Sequence, residues 1–100
     1  GGVALMRLAL TPRAAQDLDD IFDYSARTWG TERAILYIRA LQAAMERLLL
    51  FPELGRSLHE VRPGVRLLPA ESHLIIYRVC AETIGVVRIL HQRMDVGRHV

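Results

Sequence analysis

The sequence predicts an α+β domain in which a helical hairpin packs on one face of a small antiparallel sheet, in the order β-α-α-β-β-β. Apolar residues recur every three or four positions between residues 12 and 50, and the period changes to two after residue 65. A chain of 100 residues, 51% hydrophobic and 24% charged, has room for one such core. We therefore expect a single domain over residues 1–100.

The first strand and the first helix meet at a proline. Leu5 to Leu10 is short and apolar, as expected for a strand. Thr11 then offers a hydroxyl that can cap helix N–H groups, and Pro12 has the fixed φ suited to the first helical position. Residues 1–5 precede Met6, and we interpret them as a cloning remnant or an alternative start.

The two predicted helices are joined at Trp29-Gly30. Gly30 can take the left-handed conformation that ends a helix, and Thr31 then begins a second helix that runs to Phe51-Pro52. Because about three residues connect two long amphipathic helices, we expect an antiparallel hairpin.

Two sets of side chains on this hairpin have a structural and a functional interpretation. Four aspartates early in the first helix are expected to form a solvated face that complements the positive helix end, or alternatively an acidic patch for a basic partner: Asp17, Asp19, Asp20 and Asp23. Three aromatic residues are interpreted as core or hairpin packing rather than as a stacking platform: Tyr24, Trp29 and Tyr37.

Three strands of period two follow the helices. They are predicted over Val65 to Pro69, His73 to Cys80 and Thr83 to His91, and the short turns between them imply antiparallel pairing. The second of these strands is apolar on both faces except at Arg78, so we expect it to be central. Cys80, at its end, is expected to be a buried small hydrophobe.

Charge and cysteine content exclude several classes of protein. All 13 basic residues are arginine, the formal net charge is +2, and the positive excess lies in the second half of the chain. The single cysteine cannot form an internal disulfide, and no cysteine and histidine cluster has zinc spacing. We expect no metal, no cofactor and a reducing compartment. No apolar run approaches the roughly 20 residues of a membrane helix, which predicts a cytoplasmic protein without membrane contact.

Six sequence motifs occur in an order that resembles one family. They are the helix start Thr11 to Ile21, the Trp29-Gly30 turn, Phe51 to Arg56, Val61 to Gly64, His73 to Val79, and Val87 to Asp95. In this order and spacing they resemble the toxins of the RelE/ParE superfamily, and within it the ParE-like branch, over residues 6–100. The resemblance implies the toxin of a type II toxin–antitoxin pair, neutralised by a ParD-like antitoxin in a heterotetramer or larger assembly.

The resemblance implies one of two activities. RelE-like members cleave mRNA on the ribosome, and an enzyme of that kind would here depend on His91, Arg93, Arg78 and Arg66. The chain has no lysine and no tyrosine after Tyr77, so it lacks the usual acid and base set. ParE-like members instead poison DNA gyrase by trapping its cleaved DNA complex. They need no catalytic residue, and this is the function we expect.

Site residues follow from the same resemblance. The segment that binds the target is expected at the end of the last strand and in the tail: His91, Arg93, Met94, Asp95 and Arg98. An acidic antitoxin tail is expected to add a strand to a sheet edge or to bury a helix beside the hairpin. The surface that receives it is expected to include Arg62, Arg66, Arg78, Arg88 and Tyr77.

Several of these residues also have structural interpretations. Arg78 in a central strand is alternatively a paired structural arginine, and Arg93 with Asp95 is alternatively a local ion pair. Glu53 is expected to pair with Arg56 at the surface.

Two further interpretations concern a histidine and the helices. His73, which begins a strand, is expected to be solvated or to bond within the turn. A plain DNA-binding module is a third class of function, but the two helices are too long and too closely linked for a helix-turn-helix reader. We expect no direct sequence-specific DNA binding.

Overall fold

The computed structural model describes residues 6–100. The interpretation of residues 1–5, and Leu5 of the predicted first strand, lie outside the described residues. The elements follow the predicted order with one additional short strand and a terminal turn of 3₁₀ helix. They are β1 (Arg7–Leu10), α1 (Pro12–Trp29), α2 (Thr31–Leu50), β2 (Arg56–Ser57), β3 (Val65–Ala70), β4 (His73–Cys80), β5 (Thr83–His91) and the 3₁₀ turn Val96–Arg98.

The sheet has five strands in the order β1-β5-β4-β3-β2. Strands β2 to β5 pair antiparallel, and β4 is central, as predicted. β1 pairs with β5 in parallel, so the sheet is mixed rather than wholly antiparallel. The α+β class and the helical hairpin are confirmed. The parallel pair was not predicted because turn lengths fix only neighbouring strands, whereas β1 meets a strand more than 70 residues away.

The helical hairpin is fixed to the sheet at Thr11. Its hydroxyl accepts a hydrogen bond from the Ala14 N–H at 3.0 Å and donates to the Val87 carbonyl at 2.8 Å. One side chain therefore both caps α1 and fastens it to β5. Gly30 alone connects the helices, with φ at +95°, a conformation that side chains rarely adopt.

Apolar side chains bury both faces of the sheet. The face toward the helices forms the main core, which includes Leu41, Met45 and Tyr77. The opposite face, called here the open face, has a smaller core around Ile76 and Leu90. The C-terminal tail covers part of the open face by packing Val96 and Val100 against this smaller core.

Asp17 completes the hydrogen bonding of β5 where β1 has ended. Its carboxylate accepts the Ile89 N–H at 2.9 Å and two guanidinium bonds from Arg88, at 2.9 and 3.2 Å. The Asp17 side chain is 7% exposed, so its assignment to a solvated acidic face was wrong. Helical spacing does not reveal that a sheet edge with an unpaired N–H lies beside this turn of α1.

Candidate functional site

A groove of about 820 Å³ lies between the helical hairpin and the adjoining ends of β4 and β5. We call it the histidine groove, because His73 and His91 face each other across the two strands there. Their ring centroids are 5.3 Å apart, and the Tyr37 hydroxyl lies 2.6 Å from His73 Nδ1. His73 is therefore neither solvated nor bonded only within its turn, as the sequence suggested.

Hydrogen bonds and burial together determine where the two histidines of this cluster carry protons. The Ser72 N–H donates to the Tyr37 hydroxyl, and the Arg93 N–H donates to His91 Nδ1 at 3.1 Å. Neutral His91 therefore carries its proton on Nε2. Burial, and then the neighbouring His91, lower the pKa of His73 to about 4 against a smaller opposing effect of Asp17. His73 is thus neutral at pH 7.

The residues expected to bind the target do not form one cluster. His91 lines the histidine groove, whereas Arg93 and Met94 are exposed in the turn beyond β5. Asp95 accepts the Gly97 N–H at 3.0 Å and lies 3.7 Å from Arg98. The predicted Arg93–Asp95 ion pair is replaced by Asp95–Arg98, because the 3₁₀ turn brings residues three apart together.

A second groove, of about 940 Å³, lies where α2 ends. We call it the α2-end groove. Leu50 and Phe51 expose 77% and 61% of their surface beside it, and Val79 lines it from β4. These exposed apolar side chains are unusual on a small domain and mark a surface suited to binding another chain.

Two side chains, Tyr77 and Arg66, fix the loop that displays this apolar surface. The Tyr77 hydroxyl accepts the Gly55 N–H at 2.9 Å and donates to the Pro52 carbonyl at 2.7 Å. Arg66 donates to the carbonyls of Gly55 and Glu53 at 2.8 and 3.3 Å. A Cβ at Gly55 would lie 2.7 Å from the Leu67 carbonyl oxygen, so the loop requires glycine there.

The residues expected to meet the antitoxin have different environments. Tyr77 is fully buried, which corrects its assignment as a direct contact. The assignment of Arg88 as an antitoxin contact is also corrected, because its side chain is 11% exposed and its guanidinium binds Asp17. Arg66 lines the α2-end groove, and Arg62 is exposed in the loop before β3.

Two structural interpretations of arginines are corrected. Arg78 is half-buried on the open face, and no carboxylate of residues 6–100 forms an ion pair with it. The predicted Glu53–Arg56 pair is likewise absent from the described ion pairs. Arg56 is directly paired with Leu67 of the open-face core, which directs it away from the helices.

Three apolar or aromatic assignments are also corrected. Tyr24 and Trp29 are 64% and 62% exposed, and only Tyr37 of the three aromatics packs against the main core. The Arg33 guanidinium lies 5.8 Å from the Trp29 ring centroid. Cys80 is exposed because it ends β4 at the sheet margin, beyond the helices and the tail. Periodicity predicts which face of a helix or strand a residue lies on, but it does not predict how far the neighbouring elements extend to bury that face.

Of the four candidates for RNA cleavage, Arg93 adjoins His91 in the turn after β5, and the other three lie apart. Arg66 lies at the α2-end groove, Arg78 points to the open face, and His91 lies in the histidine groove. Arg66 is in register with Tyr77, and His91 with His73, four residues away on β4. Arg66 and His91 are therefore about 13 Å apart in the strand direction. No three His, Cys, Asp or Glu side chains of residues 6–100 are grouped as a metal site requires. In the same range, neither helix is long and apolar enough to span a membrane.

Comparisons with known proteins agree with this architecture. The family described as "ParE toxin of type II toxin-antitoxin system, parDE" matches residues 8–96. The chain belongs to the ParE toxin family. Toxin ParE1 of Mycobacterium tuberculosis is 47% identical over 95 residues, which cover 94% of this chain and 97% of the relative.

Two further relatives support the same membership. Toxin ParE1 of Caulobacter vibrioides is 40% identical over 91 residues, covering 91% of this chain and 94% of that one. A solved structure titled "Chromosomal ParDE TA system from P. aeruginosa" superposes with a TM-score of 0.76 at 30% identity. It covers 89% of this chain and 98% of the matched chain.

Sequence reasoning about this toxin missed three features of the site. It did not predict the contact between Tyr37 and His73, it placed Asp17 on a solvated face, and it assigned Tyr77 to a surface that binds the antitoxin. The Pro52 to Gly55 segment did carry a signal, because a proline and a glycine close together after a helix end are typical of a turn.

Proposed function

We propose that this ParE-family toxin inhibits DNA gyrase by stabilising the complex in which the DNA is cleaved, and that a ParD-like antitoxin neutralises it in the cytoplasm. The observation that carries the proposal is the separation of Arg66, Arg78 and His91 within a ParE-family fold. A protein that acts by binding needs exposed contacts, not converged acid and base groups.

The chemistry of the histidine groove disfavours RNA cleavage. General acid–base catalysis works best with a pKa near the operating pH. The pKa of His73 is lowered to about 4, which makes it a poor base at neutral pH. The rings that contact it are those of Tyr37 and His91, and neither supplies the fixed cation that would neutralise a phosphorane-like transition state; Arg33 lines the same groove from α2.

The proposed contact with gyrase is the turn after β5. Arg93 and Met94 are exposed there, and the Arg93 N–H is held by His91. The Asp95–Arg98 pair and the packing of Val96 fix the residues that follow. The turn is thereby presented in one conformation, which lowers the entropic cost of binding.

The proposed contact with the antitoxin is the α2-end groove. Phe51, Leu50 and Val79 offer apolar area, and Arg66 places a cation at its edge. An antitoxin tail that is disordered until it binds, with acidic residues beside apolar ones, is complementary to this surface. We propose a heterotetramer built on an antitoxin dimer, without operator binding by the toxin.

The test is a titration of antitoxin-free toxin into a gyrase supercoiling reaction, with a parallel reaction that traps cleaved DNA. We expect inhibition with accumulation of linear DNA, relieved by the cognate antitoxin. Arg93→Ala is expected to weaken inhibition at least tenfold, about 1.4 kcal/mol. Arg39→Ala, an exposed arginine on α2, is the matched control and is expected to inhibit like the parent.

Absence of inhibition by a large excess of folded toxin would contradict the proposal. Ribosome-dependent mRNA cleavage, measured in parallel and abolished by a substitution at His91, would assign the nuclease function instead. Equal loss in Arg93→Ala and Arg39→Ala would remove the turn after β5 from the target contact.

A further inference from the structure

The strands of the sheet contain five arginines and no acidic residue. Two of the arginines already bind groups of the protein, Arg88 at Asp17 and Arg66 at loop carbonyls. The other three are Arg7, Arg56 and Arg78. Within residues 6–100, no carboxylate forms an ion pair with any of these three.

All three unpaired arginines belong to the open face. Leu8 and Leu10 pack toward the helices, so Arg7 points the other way. Ile76 belongs to the open-face core, and Arg78 shares its side of β4. Arg56 is paired directly with Leu67, another residue of that core, and directly paired residues share a face.

The register places the three arginines on a straight diagonal. Arg7 on β1 is in register with Cys80 on β4, two residues along β4 from Arg78. Arg56 on β2 is in register with Ile76, two residues beyond Arg78 in the same direction. Each of these two steps also spans two inter-strand spacings. With strands about 4.8 Å apart and a rise of about 3.3 Å per residue, neighbouring Cα atoms are about 12 Å apart and the diagonal is about 24 Å long.

The surface between Arg7 and Arg78 is low and uncharged. Ala9, Gly85 and Thr83 occupy the strand positions there, and none of them projects beyond the arginine side chains. Arg7 and Arg56 are exposed, and Arg78 is half-buried beside the turn at Gly64. Between Arg78 and Arg56 the strand positions Val65, Leu67 and Ile76 are buried in the open-face core, which Leu58 and the tail complete. A rigid linear ligand that meets the three guanidinium groups in turn therefore lies on the sheet from Arg7 to Arg78 and passes above this covered core to reach Arg56.

We propose that this arginine diagonal binds the phosphate backbone of duplex DNA without reading its sequence. Guanidinium groups match phosphate geometry, and the strands carry no carboxylate that would repel it. Its length equals the axial rise of about seven nucleotides at 3.4 Å each. That the DNA is the segment cleaved by gyrase rests on the proposed function, whereas DNA binding itself does not.

The salt dependence of binding tests the proposal without gyrase. The antitoxin-free toxin is titrated into a fluorescent duplex of about 20 base pairs, and the affinity is followed by anisotropy from about 50 to 200 mM salt. Neutralising three phosphates predicts a slope of log K against log salt of about −3. Arg7→Ala, Arg56→Ala and Arg78→Ala are each expected to reduce it by about one.

The triple variant and a matched control sharpen this measurement. The triple alanine variant is expected to lose at least tenfold in affinity at the lowest salt. Arg39→Ala removes the same charge from the helical side and is expected to bind like the parent. All four positions are at the surface or partly exposed, so each variant is expected to fold, and circular dichroism checks this.

Cys80 gives a second measurement of position. It is the single cysteine, it is exposed, and it lies on the same side of β4 as Arg78, two residues away. A photoreactive group attached there is expected to cross-link the duplex. The same group on Gln42→Cys in a Cys80→Ser background, on exposed α2, is expected not to do so.

Three results with duplex DNA would overturn the proposal. They are a slope near zero, undiminished binding by the triple variant, or cross-linking from α2 and not from Cys80. Tighter binding of single-stranded RNA than of duplex DNA, lost in the triple variant, would reassign the diagonal to RNA and equally overturn it.

The gyrase reaction separates this inference from the proposed function. DNA binding with the expected slope in a toxin that leaves gyrase unaffected would refute the proposed function and support the diagonal. Full gyrase inhibition by a triple variant that no longer binds DNA would refute the role of the diagonal in trapping the cleaved complex.

Discussion

Asp17 shows how one residue joins the two layers of the molecule. Its buried carboxylate takes the place of a neighbouring strand for the Ile89 N–H and also neutralises Arg88. Removing it leaves a backbone donor and a nearly buried cation without a partner. We expect Asp17→Ala to lower the free energy of unfolding by about 3 kcal/mol, measured by urea denaturation.

The control for this prediction is Asp19→Ala. Asp19 is exposed two positions further along α1, so its substitution should change stability by no more than about 0.5 kcal/mol. Equal effects of the two substitutions would mean that the Asp17 contacts contribute nothing beyond a surface charge.

His73 makes stability depend on pH in a defined window. Its pKa is lowered to about 4 in the folded protein, mainly by burial, from 6.5 in the unfolded chain. The unfolded chain therefore binds the proton first, and stability falls as the pH drops from 6.5 toward 4. Because His73 is only half-buried and solvent screens part of this effect, we expect His73→Gln to reduce the loss of stability between pH 7 and 4.5 by about 1 kcal/mol, measured by urea unfolding.

An exposed histidine provides the comparison. His59→Gln alters a solvent-facing imidazole in the loop before β3 and should leave the pH profile of stability unchanged. A parent-like profile in His73→Gln would show that His73 is not the group responsible.

At the scale of elements, the loop between α2 and β2 depends on one buried hydroxyl. Tyr77 Oη holds Pro52 and Gly55 from beneath. Tyr77→Phe keeps the ring but leaves a donor and an acceptor unpaired, so we expect a loss of about 1 to 3 kcal/mol in thermal or urea unfolding. Because this loop displays Phe51, affinity for the antitoxin should also fall.

The comparison variant here is Tyr24→Phe. The Tyr24 side chain is largely exposed, and its hydroxyl has no hydrogen-bond partner in the described part of the chain. It should retain parent stability and antitoxin affinity. Parent-like stability of Tyr77→Phe would show that the loop is held without the hydroxyl.

The sequence predicted most elements because each has a strong local signal. Thr11-Pro12 begins α1, Gly30 separates the helices, and Phe51-Pro52 ends α2, since capping and proline geometry act within a few residues. It did not predict β2, whose two residues carry no period of their own. That strand exists because the loop after Gly55 returns alongside β3.

At the scale of the whole molecule, the two grooves lie at opposite ends of β4. Val79 lines the α2-end groove and His73 the histidine groove, about 20 Å apart at 3.3 Å per residue. Substitutions this far apart should act independently. The toxin therefore has room for separate antitoxin and target contacts.

This separation predicts a partition of effects. Phe51→Ser is expected to weaken antitoxin binding at least tenfold, measured by calorimetry, with unchanged gyrase inhibition. Arg93→Ala is expected to weaken gyrase inhibition with unchanged antitoxin binding. Parallel losses of both activities in either variant would indicate a single shared surface.

The order of elements, the hairpin, the central strand and the toxin family could all be predicted from the sequence, because periodicity, caps and motifs are local. The burial of Asp17 and Tyr77, the parallel pairing of β1 with β5, and the identity of the unpaired arginines became known only from the folded structure. Those outcomes depend on contacts between residues 20 to 80 positions apart, such as Asp17 with Ile89 or Tyr77 with Gly55. Such contacts are set by how the layers pack, and no spacing along the chain encodes them.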